Sequence, residues 1–298
     1  MYAKPFLTFE QQLALLQSRG LSVGDTQKAR EVLATLNYYR FSGYAIPFME
    51  NREKFKEGAV FEHILQAVHL DEKLRDHLAT ALEWIEIDFR TTLAHEHARR
   101  HGAVGYMDSR NFDNPQKHAE FMAKADEILN PADSRGGEIF IWHLGQKYGE
   151  VPLWALVEVL QFGNVVHMYW NMRKQDKPLV ARRYKLQGDI LGSYIKHLLV
   201  VRNMCAHHAR FWDKTLYGFR PFAGLPAVDW SSIDTRRVFY TFLLVHRMAR
   251  HVAESCFDLE KWRSELLALL LEFQKLPHCS PFKIMGIPEN GLDAKWWV

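Results

Sequence analysis

The stretch DILGSYIKHLLVVRNMCAHHARFWD, Asp189 to Asp213, begins as an apolar run and turns polar without a break. Asp189 follows Gly188, and aspartate is a residue that caps helix N-termini, so a long helix is expected to start there. Ile190, Leu191, Tyr194, Ile195, Leu198, Leu199, Val200 and Val201 leave little of its surface polar. A helix apolar on nearly all sides is expected to be buried. Arg202, Asn203, His207, His208 and Arg210 then arrive inside the same run. Charged and titratable groups in such a helix need partners, so the rest of the chain reads as the scaffold that supplies them.

Outward from this helix the pattern stays helical. Toward the N-terminus, Ile64, Leu65, Val68, Leu74, Leu78, Leu82, Ile85, Phe89 and Leu93 recur at three and four, which predicts one helix over 61–100. Thr8 with Gln11 forms a capping box for a helix to Arg19, and Asp25 caps a second through Leu36. The aromatic run Asn37–Tyr44 reads as a helix end, with breaks at Gly43 and Pro47. Helices are further predicted over 115–129, 138–147, 152–160 and to about Met172, with Phe162-Gly163-Asn164 as a break. After a loop at 218–232, helices are expected over 233–254 and 259–276. The tail from Pro277, with Trp296-Trp297, is expected to wrap over the body, because exposed tandem tryptophans promote association. No strand-period run of useful length appears, so the fold class is all-α.

At 3.6 residues per turn, Asn203 and His207 lie one above the other on the central helix. Arg202 and His207 are roughly 140° apart around the axis, a gap that a long arginine side chain can cross. Arg202, Asn203 and His207 are therefore expected around one pocket, with Lys196 and Val200 extending that face. Guanidinium donors match a phosphate, and imidazole changes charge near neutral pH. The pair suits phosphoester chemistry, the histidine moving a proton and the arginine holding developing negative charge. His208, six residues from Arg202, competes with His207 for the proton-moving role or supports it; it sits about 100° further round, so packing or capping is the reading preferred for it. Glu86 and Arg90, four apart, are read either as a surface ion pair or as lining the cleft of Arg202.

The segment RNMCAH, Arg202–His207, resembles the Arg-polar-x-x-x-His motif of HEPN ribonucleases, and the wider RNMCAHHARFWD resembles the signature of the Abi-like, abortive-infection family. LNYYRFSGYAIPF, IEIDFRTTLAHEHA, PLWALVEVLQFGN and FKIMGIPENGLDAKWW agree with that family in order, so the resemblance spans nearly the whole chain. It implies a multi-helix bundle of HEPN type with an N-terminal helical extension. In this division 1–55 is an N-terminal helical subdomain, 56–276 a HEPN-like core and 277–298 a wrapping tail. It implies a metal-independent endoribonuclease in which Arg202 and His207 act, Asn203 orients, and two copies assemble one cleft. Phage defence, RNA as substrate, a homodimer and an RNA or protein antitoxin or phage trigger follow from the same resemblance. The alternative is a non-catalytic RNA-binding or phage-sensing helical module in which Arg202 and His207 are structural.

Composition bounds these readings. With 298 residues, 48% of them hydrophobic, the chain can build a proper core, and a net charge of +3 permits nucleic-acid binding without arguing for it. Tyr38, Tyr39 and Arg40 read mainly as packing, with an RNA-facing surface as the second reading. Arg173, Lys174, Lys177, Arg182, Arg183 and Lys185 are the best electrostatic footprint for RNA, weighed against a merely solvated face. His95, His97 and His101 invite a metal, but HEHAR is not HExxH and the neighbouring arginines repel a cation, so neither metal nor cofactor is expected. Three cysteines without a CxxC point to a reducing cytoplasm, and no uncharged run is long enough to span a membrane.

Overall fold

The computed structural model describes residues 5–129, 138–216 and 233–297. Among them the chain is all-α. A capping box at Thr8 and Gln11 opens α1 (Phe9–Ser18), and Asp25 accepts from the Lys28 amide at the start of α2 (Thr26–Leu36). Asn37, at φ +65°, then turns the chain into α3 (Tyr38–Ala45). Gly43 does not break this helix as expected. It sits inside α3, with the Arg210 guanidinium packed over it where a Cβ would stand. A short hairpin, β1 (Met49–Asn51) with β2 (Lys54–Phe55), closes the N-terminal part.

The axis of the molecule is α4 (Phe61–His101), 41 residues long and so about 60 Å. Its buried stripe follows the predicted periodicity, from Phe61 and Ile64 to Phe89 and Leu93. Around it pack α3, α7 (Leu153–Val159), α8 (Phe162–Asn171), α9 (Lys177–Ala181), α10 (Gly188–Ala206), α11 (Val238–Ala249) and α12 (Leu259–Gln274). α5 (Pro115–Leu129) lies against α8, and α6 (Ile139–Tyr148) against α5. The buried apolar side chains form one continuous cluster from α1 to the tail after α13 (Pro281–Met285), where Trp296 and Trp297 pack edge-on against Phe239.

Several boundaries differ from the sequence reading. Phe162-Gly163-Asn164 begins α8, and the break falls at Leu160–Gln161, both in extended conformation. α11 has 12 residues and starts at Val238, since Arg237 is still extended. The loop read over 218–232 lies outside the described residues. Among the described residues, no helix is long and apolar enough to cross a membrane.

Candidate active site

The central helix ends before the two histidines that the sequence reading places inside it. α10 starts at Gly188 with Gln187 as its N-cap, so Asp189 lies in the first turn and caps nothing. It stops at Ala206. His207 is the C-cap residue, and His208 takes the left-handed conformation at φ +54°. The amide of His208 donates to the Cys205 carbonyl at 3.1 Å, and that of Ala209 to the Met204 carbonyl at 2.9 Å. This paired closure is the Schellman turn, which satisfies the last carbonyls of a helix. His208 therefore caps with its backbone, while its side chain is exposed.

Nor is α10 buried on all sides. Leu191, Tyr194, Ile195, Leu198, Val201 and Cys205 face the core, whereas Lys196, Val200, Asn203, Ala206 and His207 are all exposed. These five positions follow helical spacing, so one open strip runs along the helix to its C-terminal end. A count of apolar residues cannot reveal that Val200 lies outside. Its neighbours α4 and α8 flank α10 and leave the strip uncovered.

The strip is bordered by a charge cluster. Arg202 places Nε 3.2 Å from Glu86 Oε2 on α4, with the arginine side chain 42% exposed and the glutamate 12%. The other Glu86 oxygen accepts from Arg90 Nε at 3.0 Å and from Arg90 Nη2. Arg90 Nη1 donates to the carbonyls of Leu160, at 2.7 Å, and Val157, and its guanidinium stands 5.7 Å over the Phe162 ring. Arg90 thus ties α4 to the α7–α8 junction. Glu86 sits between two guanidiniums, and the cluster carries a net charge of +1. Of the two sequence readings of Glu86 and Arg90, the geometry is that of a mostly covered pair joined to Arg202. Among the described residues, the terminal nitrogens of Arg202 donate to no partner, and the His207 and Asn203 side chains form no hydrogen bond.

The chain after α10 is held by a polar group on the apolar stripe of α4. Asp71 is fully buried. Its Oδ2 accepts from the Tyr44 hydroxyl at 2.7 Å, from Arg75 Nη1 at 2.5 Å and from the Phe211 amide at 3.0 Å, and its Oδ1 accepts from the Trp212 amide at 2.8 Å. Burial pushes the Asp71 carboxyl above its usual range, and the Tyr44, Arg75 and backbone donors oppose that rise. Sequence reasoning missed this group. Its signal was present, because 71 and 75 fall in register with buried Ile64, Val68 and Leu78. His197, also missed, is fully buried in mid-helix with Nε2 2.7 Å from Thr241 Oγ1.

The remaining candidates lie elsewhere. Lys177, in the basic segment, packs at Gly188, at the N-terminal end of α10 and about 20 Å along the axis from Arg202. Within this segment Arg182 pairs with Glu96 at 2.9 Å and Arg183 with Asp88 at 2.6 Å, while Arg173 and Lys174 are exposed. On α3, Tyr38 is half-buried, Tyr39 is exposed, and both Arg40 and Arg210 stand 5.9 Å from the Tyr44 ring. His97 is buried, and His101 Nε2 lies 3.0 Å from Asp176. Among the described residues, no three His, Cys, Asp or Glu side chains are placed to hold a metal ion.

A family model described as Abi-like protein matches residues 31–213. The chain belongs to the Abi-like family. The match runs from within α2 to Asp213 and takes in every residue of the Arg202 cluster, the Asp71 group and the Schellman turn. Membership of the Abi-like family suggests a part in abortive infection, the bacterial defence against phage. No curated protein and no solved structure matches the chain.

Proposed function

We propose that this Abi-like chain is a metal-independent endoribonuclease of HEPN type, acting in phage defence. One observation carries the reading. Glu86 fixes the Nε edge of Arg202 while, among the described residues, the two terminal nitrogens meet no partner, beside a solvent-facing strip that ends in His207, whose side chain bonds to none of those residues either. A guanidinium anchored on one edge and open on the other is suited to a phosphate. In this mechanism the ribose 2′-hydroxyl attacks the adjacent phosphorus, the bond to the 5′ oxygen breaks, and a 2′,3′-cyclic phosphate remains. His207 takes the hydroxyl proton or returns one to the leaving oxygen, Arg202 stabilises the crowded phosphoryl charge, and Asn203 orients the group. A second copy, docked along the exposed Lys196–His207 strip, completes the cleft. An RNA or protein antitoxin restrains the activity, or a phage trigger switches it on.

The test is cleavage of single-stranded RNA in the presence of EDTA. His207→Ala and Arg202→Ala are each expected to lower the rate by about 10²–10⁴-fold, with melting temperatures close to wild type, since both side chains are solvent-accessible. Equal cleavage by wild type and His207→Ala removes the assignment. A second reading has the Glu86–Arg202 contact in its favour: Arg202 is a strut between α4 and α10, and the chain senses or binds without cutting. In that case Arg202→Ala lowers the melting temperature, and no RNA is cleaved by the wild type.

A further inference from the structure

The helix that fits its own fold least well is α6. Its sequence, IFIWHLGQKY, is strongly apolar, yet Ile141 is its one buried residue among those described. Ile139 is 73% exposed, Trp142 59%, and Met107, which lines the same groove as Trp142, 46%. Single exposed apolar residues are ordinary, but a cluster on one helix marks an interaction surface.

The cluster borders a groove of about 520 Å³ between α6, the end of α5 and the turn at Tyr106–Met107. Buried Ile141 and exposed Met107 and Trp142 are among the apolar residues that line it. Gly145 faces the same groove, and a Cβ added there would meet nothing within 4 Å, so the α6 backbone is open to close approach. Asp126, Glu138 and Glu150 form the rim, and no lysine or arginine is among the described residues that line it. The acidic field is felt nearby. Burial, then Glu150 and Asp126, push the Tyr106 hydroxyl up to about 12.

This combination selects an occupant. An apolar trough with three carboxylates repels an RNA backbone and an anionic bilayer alike. It complements a helix that is apolar on one face and basic on its flanks, which is the helix-in-groove mode of recognition. We propose that the α5–α6 groove is a docking site for a cationic amphipathic helix of a partner protein. The apolar stripe of that helix seats against Met107, Trp142 and Gly145, and its lysines or arginines meet Asp126, Glu138 and Glu150. The inference does not depend on the nuclease reading, because the groove shares no residue with the Arg202 cluster.

The test uses the full chain and a designed 18-residue leucine–lysine amphipathic peptide, followed by calorimetric titration. A peptide of equal composition with its leucines scrambled around the helix is the control. Wild type is expected to bind the amphipathic peptide at least ten-fold more tightly than the scrambled one, and the binding should weaken with salt. Trp142→Ser removes an apolar lining side chain. Gly145→Leu fills the trough with a better helix former, so the fold of α6 is retained. Each is expected to lower affinity ten-fold or more, and Asp126→Asn, Glu138→Gln and Glu150→Gln together should abolish the salt dependence. Equal binding of the two peptides, or variants that bind as wild type does, overturns the proposal. So does a sedimentation experiment in which Trp142→Ser dissociates a dimer, which would make the face homotypic. Vesicles of phosphatidylglycerol that bind wild type but not Trp142→Ser would also overturn it, in favour of a membrane.

Discussion

At His208 the backbone turns through φ +54°, a conformation that costs a non-glycine residue about 1 kcal/mol or more. The cost is tolerated because the His208 and Ala209 amides close the end of α10, and it follows that the imidazole is not what the turn requires. Glycine adopts that conformation without the Cβ penalty. His208→Gly is therefore expected to raise stability by about 1 kcal/mol in urea denaturation and to leave RNA cleavage intact, in contrast to His207→Ala. If His208→Gly instead lost stability, the side chain and not the backbone would be making the cap. The distinction rests on one residue of helix length. Had α10 continued past His208, as the sequence reading has it, His207 and His208 would be two helical positions differing only in azimuth. Because it ends at Ala206, His207 sits at the helix end with an open side chain, and His208 is committed to the turn.

At the scale of elements, α4 organises the site from both of its polar interruptions. Glu86 holds Arg202 near the end of α10, and Asp71 holds the segment that follows. Phe211 and Trp212 are fully buried, so the Asp71 carboxylate satisfies two backbone amides that would otherwise lack partners in the core. Asp71→Ala leaves those amides and the Arg75 guanidinium, itself only 5% exposed, without their acceptor. A loss of about 3–5 kcal/mol is expected. The double variant Asp71→Ala with Arg75→Met should lose clearly less than the single one, because it removes the stranded charge as well. If the double variant were the less stable of the two, the pair would not be the buried unit described here. The element scale is also where α8 matters. Its N-terminus is pinned beside the Arg202 cluster by Arg90, while Lys177, beyond its other end, packs at the far end of α10.

For the molecule as a whole, three buried histidines make folding sensitive to acid. Burial pushes His97 down to about 4, His197 to about 3 and His246 to about 4, against an ordinary value near 6.5. Their folded-state values are depressed, so the unfolded chain takes up protons below about pH 6.5 while the folded chain does not. The contribution is fully present above pH 6.5 and is lost as the pH falls toward 4. At pH 5 each group costs on the order of 2 kcal/mol, enough together to remove most of the stability of an ordinary domain. Denaturation midpoints measured at pH 7.5 and pH 5 should differ accordingly, and a midpoint unchanged between them would mean that these histidines are not buried. Much of this architecture is legible in the chain itself. Periodicity shows α4 and most other helices, the Thr8–Gln11 and Asp25 caps show their starts, and the ordered segments around Arg202–His207 point to the family that residues 31–213 match. These features depend on neighbours one to four residues away, which a sequence displays directly. What the sequence could not decide was which apolar side of α10 meets solvent, where that helix stops, and that Glu86, Asp71 and Arg75 reach across to it. Those outcomes depend on groups far apart in the chain, 116 residues between Glu86 and Arg202 and 140 between Asp71 and Phe211, and only the packing of helices around α4 brings them within hydrogen-bond range.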